Sequence, residues 1–196
     1  MTKLGWGILT VILVVMGLFL SMLSFSSAPE GGFRDRVRRA LPSFARPSPG
    51  ILAMPVAGVA RDAVTDTWGD ARGGGTRGHH GTDIMAPRGT PVVAAADGIV
   101  EKLFQSGLGG TTIYVRSADG RWIHYYAHLA GYVPGLHEGQ VVKTGEQIAY
   151  VGDTGDAGAG NYHLHFGVQR MHGGEGWWQG EDVNPYPLLA GTAAHR

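Results

Sequence analysis

From Asn161 to Val168 the chain alternates between polar and apolar residues, with His163 and His165 on one count and Leu164 and Phe166 on the other. A period of two is the signature of a β-strand. Side chains at i and i+2 of a strand share a face, about 7 Å apart along the chain. His163 and His165 therefore face one space, while Leu164 and Phe166 face a core, and a strand of this kind needs a sheet around it. Two imidazoles aimed at one space suit a metal ion with a second group acting beside it. Taken alone, they suit an ordinary sheet face equally well.

The rest of the chain supports a sheet. Glycine is abundant, at 33 of 196 residues, and charged residues make up only 16%, which favours a turn-rich β fold over a helical bundle. Gly89–Val100 and Gly139–Gly152 each place Val-rich residues before a glycine turn and a second short strand, a weak duplication of a hairpin. Thr111–Arg116 and Trp122–Leu129 alternate as two further strands around Ala118-Asp119-Gly120, and Asp-Gly between such runs is a strong hairpin signal. On the second of these strands, a period of two puts His124, Tyr126 and His128 on one face, either a groove floor or an exposed sheet face. The expected fold class is mainly β: an antiparallel sheet forming a groove, with a duplicated hairpin and long loops, preceded by an N-terminal transmembrane helix.

Upstream, three glycines (Gly73, Gly74, Gly75) lead into Gly78-His79-His80-Gly81-Thr82-Asp83-Ile84. His79 and Asp83 share a face if the segment is extended, and Gly81 permits a bend that brings them closer. A phosphate-binding loop is a poor fit, since no GxxxxGK[ST] follows and no helix pattern opens. With no cysteine in the chain, disulfides and thiolate sites are excluded, and a metal must be held by histidine and carboxylate. The formal net charge of +0 argues neither for nor against nucleic acid; no nucleic-acid partner is expected.

Residues 4–25 form an almost wholly apolar run near the roughly 20 residues that span a bilayer. Residues 1–27 are expected to be an uncleaved signal anchor, with a signal peptide cleaved after Ser26-Ser27-Ala28 as the alternative. Residues 28–50 make a Pro/Arg-rich linker, residues 51–190 the folded domain, and residues 191–196 a tail. The arginines at 34, 36, 38 and 39 follow the span and argue for a cytoplasmic domain, whereas Lys3 and the N-terminal amine argue the other way.

His79-x-Gly81-x-Asp83, Tyr126-Ala127-His128-Leu129 and His163-x-His165, in that order, resemble the lysostaphin/LytM-type zinc metallo-endopeptidases of bacterial cell walls. The flanks Asp83-Ile84-x-Ala86-Pro87-x-Gly89-Thr90-Pro91-Val92 and His163-Leu164-His165-Phe166 are similar too, so the likeness runs from about Pro55 to Pro187. It implies one zinc ion on His79, Asp83 and His165, with His128 and His163 as catalytic histidines that do not bind it. Either could be the base. Two neutral imidazoles and a carboxylate would leave a fourth position for water. His80 would point away, and His124 would sit in the groove behind His128. Trp177 and Trp178 would pack as core or stack on sugar rings.

The resemblance also implies a substrate, peptidoglycan peptides, that lies outside the cytoplasmic membrane. The domain is then expected to be periplasmic or extracytoplasmic and held by its N-terminal helix, or secreted after cleavage. Protein partners are not legible. A silent, regulatory metallopeptidase-like module is the alternative function. A sugar phosphotransferase carrier fits less well, given the His79/Asp83 pair and the apolar N-terminus. The Gly-rich lead-in to His79 departs from the family's more aromatic one.

Overall fold

A computed structural model describes residues 52–190. The expected anchor, the linker and the tail lie outside these residues. Among those described, no helix is long and apolar enough to cross a membrane.

The chain is mainly β, and every strand pair is antiparallel. A two-stranded hairpin, β1 (Ala71–Arg72) and β2 (Arg77–Gly78), turns through Gly73, Gly74 and Gly75, all at positive φ. The remaining strands are β3 (Thr82–Met85), β4 (Pro91–Val93), β5 (Gly98–Ser106), β6 (Gly110–Ser117), β7 (Trp122–Tyr132), β8 (Val141–Val142), β9 (Gln147–Val151), β10 (His163–Arg170) and β11 (Glu181–Val183), followed by a short helix α1 (Tyr186–Ala190). They form one nine-stranded sheet. Its main path runs β11-β10-β7-β6-β5-β8, with β3 on β10 and β9 joining β4 to β7.

The expected hairpin between β6 and β7 is present. Asp119 closes it by accepting from Ser117 Oγ and the Arg121 backbone N–H. The two Val-rich stretches behave differently from the expectation. Neither folds on itself as a hairpin. Instead β4 pairs with β9 and β5 with β8, so each stretch gives one strand to each of two ladders. Local alternation identifies a strand but does not choose its partner.

The core is the apolar face of this sheet. Ile84, Ile113, Leu129, Leu164 and Phe166 are fully buried, each contributing about 1.5–3 kcal/mol on leaving water. Tyr126 is buried among them, its hydroxyl accepting the Ala95 N–H at 2.9 Å. Asn184 starts α1 by accepting the Tyr186 N–H. Leu189 enters the core, and Arg61 ties the helix back by donating to the carbonyls of Leu52 and Leu189. A buried ion pair, Arg116 with Glu101, joins β5 to β6, and Arg116 also donates to the carbonyls of Gly120 and Glu175.

Candidate metal centre and its groove

The site stands where β3, β10 and β7 lie side by side. In register, His165 faces Asp83 on β3 and Ala127 on β7, while Phe166 faces Tyr126. Alternation along β10 therefore puts His163 and His165 on the groove side and Leu164 and Phe166 in the core, as the sequence pattern requires.

His79 lies between β2 and β3, and Gly81 makes room for it to meet β10. A Cβ on Gly81 would lie 2.5 Å from His165 Cε1 and 2.8 Å from the Phe166 carbonyl oxygen. Only glycine lets the His165 ring lie against this backbone. As a result three donor atoms converge. His79 Nε2 is 2.8 Å from His165 Nδ1 and 3.0 Å from Asp83 Oδ1, and His165 Nδ1 is 3.2 Å from the same oxygen.

These residues fit a metal ion. His79 Nδ1 faces the Thr67 carbonyl at 2.7 Å, and a carbonyl only accepts, so Nδ1 carries the proton and a neutral His79 offers Nε2 as a lone pair. Asp83 Oδ1 is also an acceptor. Two acceptors 3.0 Å apart with no proton between them repel, and a cation among them removes the conflict. The spacings are close to the ~3.3 Å that separates ligand atoms around a tetrahedral ion with bonds of about 2.0–2.2 Å.

The surroundings hold this set in place. Asp83 Oδ2 receives Arg72 Nη2 at 2.5 Å, and its backbone N–H donates to Thr67 Oγ1 at 3.1 Å. Burial alone would raise the Asp83 carboxyl. The proximity of His165 and His79 outweighs it: a proton on either imidazole, or a cation in its place, holds the group below the ordinary carboxylate range. Burial pushes the His165 imidazole down, against the pull of Asp83, which favours the neutral, ligating form.

His128 and His163 stand beside the trio. His163 Nδ1 donates to Asn161 O and His128 Nδ1 to Thr154 O, each at 2.8 Å. Both Nε2 atoms are thus left as bases when the rings are neutral. His163 Nε2 is 3.8 Å from Asp83 Oδ1, and the two ring centroids are 4.8 Å apart. Burial lowers His128, partly offset by its bond to Thr154, and the charges of His163 and His165 lower it further.

β7 corrects the sequence reading. A strict period of two puts His124, Tyr126 and His128 on one face, yet His124 and Tyr126 are buried on the core side and Tyr125 and Ala127 line the groove. His128 reaches the groove through a bulge. β6 pairs Thr111 with Leu129 and Ile113 with Tyr126, which leaves Ala127 and His128 opposite one residue. His128 has φ of 59°, the sole positive value among the described non-glycine residues, a conformation that costs roughly 1–2 kcal/mol. Gly152 admits the bulge, since a Cβ there would meet the Ala130 nitrogen at 2.3 Å. His124 therefore does not support His128. It stacks on Phe166 with centroids 6.3 Å apart, and its Nδ1 has no partner.

His80 turns away from the trio to Asp182 and Trp68. Trp177 is half-buried against Tyr114 and Phe104, and Trp178 is exposed. The groove is an open cavity of about 500 Å³ lined by the five residues above together with Arg72, Arg77, Tyr125 and Asp156. Sequence reading missed Thr67, Arg72 and Thr154. None lies in a periodic pattern, and their contacts reach 11 to 26 residues along the chain, Arg72 from the end of the two-residue strand β1 and the others from loops.

An antiparallel sheet groove carrying two histidines and a carboxylate around one point, with two further imidazoles alongside, is a layout that could hold a metal ion and move protons beside it. The model of peptidase family M23 matches residues 77–185, and the chain belongs to that family. The chain is 41% identical over 129 residues to an L-Ala–D-Glu endopeptidase of Bacillus subtilis, a match covering 63% of this chain and 38% of that protein. The catalytic domain of the antimicrobial peptidase lysostaphin from Staphylococcus simulans superposes with a TM-score of 0.53 at 29% identity, covering 64% of this chain and 90% of that one. A zinc-containing peptidase from Vibrio cholerae gives 0.56 at 27% identity, over 74% and 41% of the two chains. The chain thus spans well under half the length of the Bacillus relative.

Proposed function

We propose that this chain is a zinc-dependent endopeptidase that hydrolyses peptide bonds in the stems or cross-links of peptidoglycan. One observation carries the proposal: donor atoms of His79, Asp83 and His165 lie within 4.8 Å of one another at the base of an open groove. His79 Nε2, Asp83 Oδ1 and His165 Nδ1 would hold the ion. Zinc bound there supplies a Lewis acid and brings the pKa of a bound water towards ~7.

The chain's own groups move the protons. His163 is the proton acceptor, because Asp83 Oδ1 lies 3.8 Å from its Nε2 and stabilises the imidazolium. From Nε2 the proton passes to the leaving amine. His128 stands across from His163, where its Nε2, once protonated, donates to the developing oxyanion. The carbonyls of Asn161 and Thr154 keep both rings turned this way. Arg72 occupies Asp83 Oδ2 and leaves Oδ1 for the ion.

A stem-peptide bond is supported by the Bacillus relative, which is named for cleavage between L-Ala and D-Glu. Such a substrate lies outside the cytoplasmic membrane, which supports residues 1–27 as an anchor with the domain periplasmic or extracytoplasmic. Digestion of purified peptidoglycan by the full chain, followed by mass spectrometry, tests the proposal. New peptide ends that vanish with a chelator and with His165→Ala are expected. Bound zinc without cleavage would assign the chain a regulatory role instead.

A further inference from the structure

The mouth of the groove carries an ion pair that the chemistry above does not use. Arg77 Nη2 lies 2.5 Å from Asp156 Oδ2, and both side chains line the cavity. They are 43% and 39% exposed. An ion pair this open contributes little to stability, so its guanidinium can change partner at small cost.

The two ends of the pair are held differently. Asp156 sits on a fixed turn: its N–H donates to Leu108 O at 2.9 Å, and Thr154 Oγ1 accepts from the Thr111 N–H and donates to Leu129 O. Gly155 is packed so closely that a Cβ there would lie 2.2 Å from Leu108 O. Arg77 opens β2, two residues past the last of the glycines Gly73, Gly74 and Gly75 at positive φ, and its side chain reaches across the groove lining to Asp156. The partner that moves is therefore the arginine.

Charge in the groove gives that movement a purpose. The lining holds two guanidiniums, Arg72 and Arg77, and two carboxylates, Asp83 and Asp156, besides its histidines. Arg72 is committed to Asp83. A divalent ion on the trio leaves the groove net positive, and Arg77 is the cation whose partner a ligand can replace. A guanidinium fork matches a carboxylate in two parallel hydrogen bonds.

Resting on the function proposed above, we propose that Arg77 is the groove's receptor for a free carboxylate of the substrate peptide, with Asp156 as the built-in carboxylate that it releases. The chain accordingly prefers peptides bearing an acidic group near the scissile bond over the same peptides with that group amidated.

Two substitutions give opposite predictions. Soluble cross-linked muropeptides are prepared in native form and with their carboxylates converted to carboxamides, and the full chain is assayed on both. The acid-to-amide ratio of kcat/KM exceeds one for the native chain. Arg77→Gln lowers the ratio roughly tenfold through KM, the loss expected for one charge-assisted pair. Asp156→Asn raises it, because the competing carboxylate is gone. If the pair only braces two loops, both substitutions shift the ratio in the same direction or leave it unchanged, and the proposal is overturned. Calorimetric binding of both muropeptide forms to His163→Ala, with and without Arg77→Gln, reads the preference independently of turnover. A chain that cleaves neither form but binds the acid through Arg77 refutes the peptidase proposal alone. Equal binding of both forms refutes the receptor.

Discussion

His124 makes the folded chain acid-sensitive in a way that can be worked out in advance. Its ring is buried under β10, stacked on Phe166, with Nδ1 unpartnered. Burial, only partly opposed by Asp119, drives its pKa from 6.5 down to about 4. In the unfolded chain it titrates near its ordinary value. Between those two values the unfolded state binds the proton and the folded state does not, so stability falls as pH falls. The contribution is fully present above pH 6.5 and is lost by about pH 4. At 1.36 kcal/mol per unit the whole loss is about 3 kcal/mol, of which about 2 kcal/mol has gone by pH 5. The assay is urea unfolding of the chelator-treated protein at pH 7.5, 6 and 5, native against His124→Phe. Phenylalanine keeps the stacked ring and cannot take a proton. Subtracting the two curves cancels every other titrating group, and the native stability minus that of the variant should fall towards low pH by the stated amount. Parallel curves would refute the reasoning, as would an NMR titration of the folded His124 near 6.5.

Other perturbations have definite outcomes. Gly81→Ala puts a methyl where the His165 ring and the Phe166 carbonyl lie, so zinc affinity by competitive titration should fall at least ~10-fold, the scale of loss when ligand support fails. Arg116→Ala strands Glu101, whose side chain is 11% exposed, and should cost about 3–5 kcal/mol in urea unfolding; a smaller loss would mean that water reaches the carboxylate. His163→Ala should lower kcat on muropeptides roughly 10²–10⁴-fold, the range for a lost general base, with zinc content by elemental analysis unchanged. Thr67→Val removes the acceptor of the Asp83 N–H but keeps the carbonyl that orients His79, and should cost about 1–2 kcal/mol of stability while metal is still bound.

The parts of this architecture that follow strict alternation could be read from the chain. β10 has no bulge, so counting by two along His163-Leu164-His165-Phe166 gives the right faces. β7 has one, and the same count fails there at His124 and Tyr126. The extra residue at Ala127–His128 is accommodated by Gly152 and by a hydrogen bond from His128 N–H to Gly109 O, neither of which is near in sequence. The proximity of His79 to Asp83 was foreseeable from the glycine between them, though the reason differs: Gly81 is small enough to lie under His165. Arg72 and Thr67 stayed hidden because one ends a two-residue strand and the other lies in a loop, too short or irregular for periodicity to report on partners.

The pairing of β3 with β10 alone among the strands also sets an order of events during synthesis. Its register joins Met85 to His163, and Asp83 and His165 are 82 positions apart, so that stretch of chain must leave the ribosome before the two can meet. The β5-β6-β7 meander has neighbours close in the chain and can form first, whereas contacts of high sequence separation close late. A nascent chain consequently carries two of the three trio residues, His79 and Asp83, before the third has been made. Under the proposed function such a pair alone would hold an ion weakly, and the groove gains its third ligand only when the penultimate strand docks. The topology itself thus leaves the trio incomplete until β10 has been made.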